Sequence, residues 1–174
     1  MSKGPRYHHQ MHIRLARASD AEAIRAIYNV EVLGSTATFD LRPRTPEEQQ
    51  EWMVEHRGPH PAIVAVRGDD DGAICGFGSL SPFRERPAYA TTVENSVYVD
   101  AASRGAGVGR ALLEELLVLA GQHGFHTVIA RIGGGNEASI ALHRACGFEM
   151  AGVEREVGRK FNRWLDVSVL QRLL

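Results

Sequence analysis

The sequence predicts an α/β fold, with helices flanking a mixed sheet. Apolar residues recur at three- and four-residue spacing in four stretches and form short dense runs in seven others. The two kinds alternate in the order β-α-α-β-β-β-α-β-α-β-β, which suits one sheet covered by helices. The chain has 174 residues, a length that suits a single core, so residues 12–174 are expected to form one domain.

Residues 1–11 carry no apolar period and are expected to be a flexible leader, with Met11 a candidate start; His8, His9 and His12 are expected to be solvated rather than metal-bound. The first strand begins at His12-Ile13-Arg14-Leu15. Ser19-Asp20 precede Ala23, Ile24, Ile27, Tyr28 and Val30, the pattern of an N-capped amphipathic helix. Thr45-Pro46-Glu47-Glu48 supplies a cap, a proline at the first helical position and acids in the first turn, so a second helix runs to about His56. Runs 62–67 and 73–81 flank the turn Gly68–Gly72 as a hairpin, and 92–99 is its neighbour. Helical spacing returns over 107–123 and stops at Gly124. A strand at 126–131, a helix at 136–145 and strands near 148–156 and 164–171 close the chain.

Composition narrows function. With 44% hydrophobic and 24% charged residues and a net charge of −1, neither disorder nor a polyanion-binding surface is expected, and nucleic acid is not an expected partner. No apolar run approaches the roughly 20 residues that span a bilayer, so a cytoplasmic protein without membrane association is expected. Cys75 and Cys146 lack metal-type spacing and are expected to be reduced and inert.

The strongest chemical signal is Val97-Tyr98-Val99-Asp100 followed by Arg104-Gly105-Ala106-Gly107-Val108-Gly109-Arg110 and a helix. A strand, a glycine-rich turn and a helix start together offer unpaired N–H groups and a positive dipole end, which suit a pyrophosphate. Arg110 stands where a dinucleotide fingerprint has its third glycine, and no Gly-Lys-Ser/Thr is present.

Arg104-x-x-Gly107-x-Gly109, followed by Asn136-x-x-Ser139-x-x-Leu142-His143-x-x-x-Gly147-Phe148, resembles the acetyl-coenzyme-A-dependent N-acetyltransferases of the GNAT superfamily. Three stretches are similar to its phosphinothricin and methionine sulfone/sulfoximine acetyltransferase branch: Thr92–Val99, Gly133–Ile140 and Val157–Asp166. Tyr28-Asn29 and Ser35–Phe39 agree with that branch. The resemblance implies a GNAT fold, mixed and mostly antiparallel, splayed between the fourth and fifth strands. It also implies acetyl-CoA as co-substrate, held by Asn95–Val99 (including Val97, Tyr98 and Val99), by the turn from Arg104 to Arg110, and by Asn136 and Ser139. A bulge in the fourth strand is implied, aiming an N–H at the thioester, and a homodimer is expected.

The resemblance also assigns roles at the reacting centre. Glu94 is the expected base, because an acceptor ammonium must lose a proton before it attacks. His143 is expected either to protonate the departing thiolate or to share proton removal. Arg84, Arg86 and Tyr89 are expected to recognise the acid group and backbone of an amino-acid-like acceptor, with Phe39 and Lys160 also at the acceptor site. The expected reaction is direct transfer of acetyl to the α-amine of a small amino-acid analogue. An acetyltransferase for protein N-termini or another amine, and a non-catalytic CoA-binding module, remain the alternatives.

Overall fold

A computed structural model describes residues 11–174. The leader expected at 1–11, with His8 and His9, lies outside these residues except for Met11, which opens the first strand. The strands are β1 (Met11–Leu15), β2 (Ala62–Arg67), β3 (Ala73–Pro82), β4 (Thr92–Val99), β5 (Thr127–Gly133), β6 (Glu149–Lys160) and β7 (Arg163–Leu173). The helices are α1 (Ala21–Gly34), α2 (Pro46–Glu55), α3 (Val108–Gln122) and α4 (Glu137–Ala145). The strands form one seven-stranded sheet in the order β1-β2-β3-β4-β5-β7-β6, with every neighbouring pair antiparallel except β4 and β5.

Alternation along the strands divides the buried residues into two cores. One face sends Ala65, Leu80, Val93, Val128, Ala130 and Ile132 against Leu112, Leu113 and Leu116 of α3 and Ile140 of α4. The other sends Val64, Val66 and Phe77 against Ile24, Tyr28 and Val32 of α1 and Met53 of α2. A Cβ at Gly78 would lie 3.0 Å from Leu116 Cδ1, so a bare backbone lets α3 settle onto the sheet.

The α2 start matches its expectation. Thr45 Oγ1 accepts from Glu48 N at 3.2 Å, and Glu48 Oε2 accepts from Thr45 N at 2.9 Å, a complete capping box. The α1 start differs. Asp20 already has helical dihedrals and makes no side-chain cap; its carboxylate accepts from Arg17 N at 2.7 Å and from Arg14 at 2.7 and 3.0 Å. The closing strands are longer than expected because a two-residue turn, Phe161-Asn162, joins them with both φ positive, at 52° and 57°. That pair of dihedrals defines the turn type whose twist matches a hairpin.

The feature that positions the site lies between β4 and β5. They pair only through Thr92–Thr127, Val93–Val128 and Glu94–Ile129, and then diverge. The β3–β4 register runs without a shift from Val93 to Val99, so the inserted bulge implied by resemblance is absent. Divergence itself frees the β4 edge over Asn95–Val99.

Candidate active site

The divergence opens a cleft of about 630 Å³, within the range of small-molecule sites. One wall is β4 from Asn95 to Val99, and the other is β5 from Ala130 to Gly133. Arg104, Gly105, Gly107, Val108, Gly109 and Arg110 form one end, while Asn136, Ser139 and His143 line the side. Ala106 is exposed and is not among the lining residues.

The glycine turn has the geometry an anion needs. Gly107 caps α3 in the left-handed region at φ 82°, and a Cβ there would meet no atom within 4 Å, so open space lies in front of the helix start. First-turn N–H groups are unpaired within a helix and point outward. Arg104 donates to Val99 O at 3.4 Å and forms an ion pair with Glu31 of α1. Glu31 in turn accepts from Ser35 Oγ at 2.6 Å, linking this turn to the loop after α1.

The start of α4 does two things. Asn136 Oδ1 accepts from Ser139 N at 3.1 Å, capping the helix, while Asn136 also lines the cleft. One turn on, buried His143 places Nδ1 2.8 Å from Ser139 O and Nε2 3.0 Å from Asn95 Nδ2. A carbonyl only accepts, so Nδ1 carries the proton and Nε2 accepts from the amide. Burial lowers the imidazole pKa and so favours the neutral ring, and the Ser139 carbonyl opposes that shift. A neutral ring with its proton directed at Ser139 has no N–H free for a departing thiolate. Asn95 Oδ1 is buried without a partner.

Glu94 is adjacent to Asn95 but faces the other side of the sheet, as strand alternation requires, and is half-buried. Burial raises its carboxyl pKa; Arg131 opposes the shift and Glu154 adds to it. Arg131 lines the cleft and forms an ion pair with Glu154. Neither residue is in the set expected from the sequence. The available signal was a lone arginine within the apolar run 126–131.

The remaining expected residues lie apart from the cleft lining. Arg84, Arg86 and Tyr89 border a separate recess, where Arg84 donates to Tyr89 Oη at 3.3 Å and stacks on Phe83. Lys160 is buried, its Nζ donating to Thr38 O at 2.9 Å, and burial lowers its pKa. It therefore ties the loop after α1 to the β6–β7 turn. Phe39 covers two glycines: a Cβ at Gly133 would lie 2.5 Å from its ring, and one at Gly158 2.1 Å. Cys146 is buried, and burial raises its thiol pKa. Among the described residues no cluster suits a metal, and no helix is long and apolar enough to cross a membrane.

Comparison with known proteins adds the following. Residues 13–169 match the acetyltransferase (GNAT) domain model. The chain is 37% identical over 166 residues to a phosphinothricin N-acetyltransferase of Streptomyces coelicolor, covering 95% of this chain and 97% of that protein. It is 40% identical over 160 residues to an L-methionine sulfoximine/L-methionine sulfone acetyltransferase of Pseudomonas paraeruginosa, covering 91% and 92%. A phosphinothricin acetyltransferase from Sinorhizobium meliloti, solved in complex with acetyl-CoA, superposes with a TM-score of 0.88 at 40% identity, covering 94% of this chain and 88% of that one.

Proposed function

Because the chain belongs to the GNAT acetyltransferase family and uses acetyl-CoA as co-substrate, we propose that its acceptor is the α-amine of a small amino-acid analogue of the phosphinothricin, methionine sulfone or methionine sulfoximine type. The carrying observation is a half-buried carboxylate, Glu94, at the last paired position before β4 and β5 part, at the junction rather than among the cleft-lining residues. The names of the relatives support the acceptor class.

The cleft fits the co-substrate. The free β4 edge over Asn95–Val99 suits the amide-bearing arm of coenzyme A, the α3 start with Arg104 and Arg110 suits the pyrophosphate, and Asn136 and Ser139 flank the arm. Bound there, acetyl-CoA supplies the activated acyl carbon. Glu94 takes a proton from the acceptor ammonium, directly or through one water, and its raised pKa brings it closer to that task at neutral pH. The freed amine attacks the thioester carbonyl, its nitrogen gives up a second proton to solvent as the C–S bond breaks, and the thiolate takes one proton from solvent. His143, neutral and anchored at both nitrogens, holds the wall beside the reacting carbon. Exposed Val153, Val157, Phe161 and Trp164 on the β6–β7 ribbon support a homodimer.

A thiol-release assay with acetyl-CoA, screened across free amino acids, the three analogues and an N-terminal peptide, tests the reading. Turnover is expected on the analogues. Turnover confined to the peptide would overturn the acceptor class, and none at all would leave a CoA-binding module.

A further inference from the structure

We infer that Arg131 is the anchor for the acceptor's carboxylate, so that the site selects amines bearing a carboxylate on the adjacent carbon. The inference rests on the acetyltransferase reading above and specifies its acceptor. On β5 the side chains of Val128, Ala130 and Ile132 enter the core, which turns Ile129 and Arg131 to the opposite face. Ile129 is the register partner of Glu94, and Arg131 follows one pleat later, about 7 Å along the strand. The strands part between those two positions. Glu94 and Arg131 therefore flank the mouth of the gap on the same face, one on each strand.

An α-amino acid carries an ammonium and a carboxylate on a single carbon. Its charges complement this pair, with the ammonium toward the base and the carboxylate toward the guanidinium. The other cations named above lie away from this mouth. Arg104 and Arg110 stand at the pyrophosphate end, Lys160 is bound to the Thr38 carbonyl, and Arg84 and Arg86 border a different recess. Arg131 already holds a carboxylate, that of Glu154. Both side chains are more than a third exposed, at 37% and 38%, and an ion pair so exposed holds its partners only weakly. A guanidinium has five donors, so Arg131 can pass one edge to an incoming carboxylate while Glu154 retains another.

The test compares an accepted amino-acid analogue with its methyl ester, which keeps the amine and neutralises the carboxylate. Arg131→Met is expected to raise KM for the free acid on the order of 10–100-fold, the effect of losing a charge-assisted bidentate contact, while the ester's KM changes far less; any change in kcat from removing a cation near Glu94 is common to both compounds. Calorimetry of the free acid on the CoA-loaded protein should show the same loss without turnover. Arg131→Lys should recover part of it. Glu154→Gln should not share the loss, because it removes a competing carboxylate and leaves the cation in place. Equal losses on acid and ester, or a Glu154→Gln variant as impaired as Arg131→Met, would show the pair to be structural and overturn the assignment. Failure of the wild type to acetylate either compound would instead overturn the acceptor reading beneath it.

Discussion

Glu94 combines two opposing demands in one side chain. Burial makes its charged form costly, and the same cost makes it a stronger base. The sign for stability follows. A carboxyl whose folded pKa is raised stabilises the fold below its ordinary pKa, and that contribution is lost as pH rises through the raised value. Glu94→Gln should therefore melt higher than the wild type at neutral pH while its kcat falls by roughly 10²–10⁴-fold, the usual worth of a general base. Calorimetry and thiol release check the two halves, and high pH should return part of the rate by deprotonating the acceptor. Both Glu94 and His143 are legible in the sequence as candidates. What the sequence hides is that they stand on opposite faces of the sheet, and that the Ser139 carbonyl fixes which nitrogen of His143 carries the proton. Arg131 is hidden for a related reason: alternation assigns a side chain to a face, and only the parallel pairing of two distant strands makes Glu94 its neighbour.

The loop after α1 shows how distant elements brace the wall of the cleft. Phe39 reaches across to β5 and β6, where Gly133 and Gly158 leave its ring room. Gly158→Ala should push the ring aside. Since Phe39 is 37% exposed, it can swing outward, so the expected stability loss is only about 1 kcal/mol, toward the low end of overpacking costs. The acceptor KM should rise several-fold while the KM for acetyl-CoA stays put, because the glycine turn at α3 is untouched; steady-state kinetics with each substrate varied separate the two. Element boundaries were legible where local chemistry set them, as at the α2 capping box. They were not legible where a distant partner intervened: Arg14 on β1 takes the Asp20 carboxylate that would otherwise cap α1. Both closing strands were legible, but their tight turn was hidden because it is Phe-Asn, without the glycine that usually announces such dihedrals.

Across the whole molecule, imidazoles removed from water contribute to acid sensitivity near neutrality. His143 and His56 both have lowered pKa values, chiefly from burial. A group whose folded pKa is depressed adds stability above its unfolded value, and that stability is lost as pH falls through the folded one. The melting temperature should hold near neutrality and decline as pH drops below about 6.5, the ordinary imidazole value; a His143→Gln variant should show a shallower decline in a calorimetric pH series. The element order, the mixed sheet and the glycine turn before α3 were legible because periodicity and glycine spacing are local. The three-pair junction of β4 with β5 was legible only through family resemblance, since no single segment encodes it. Mechanically, that junction makes the protein two blocks sprung from one corner, β1 to β4 on one side and β5 to β7 on the other. An unsatisfied strand edge at a sheet's rim would invite other chains; here the same kind of edge lies inward, screened by the opposite block and by α4. On the proposed reading, a threadlike guest lying there would complete the ladder, and part of the molecule's backbone continuity would be lent by its ligand.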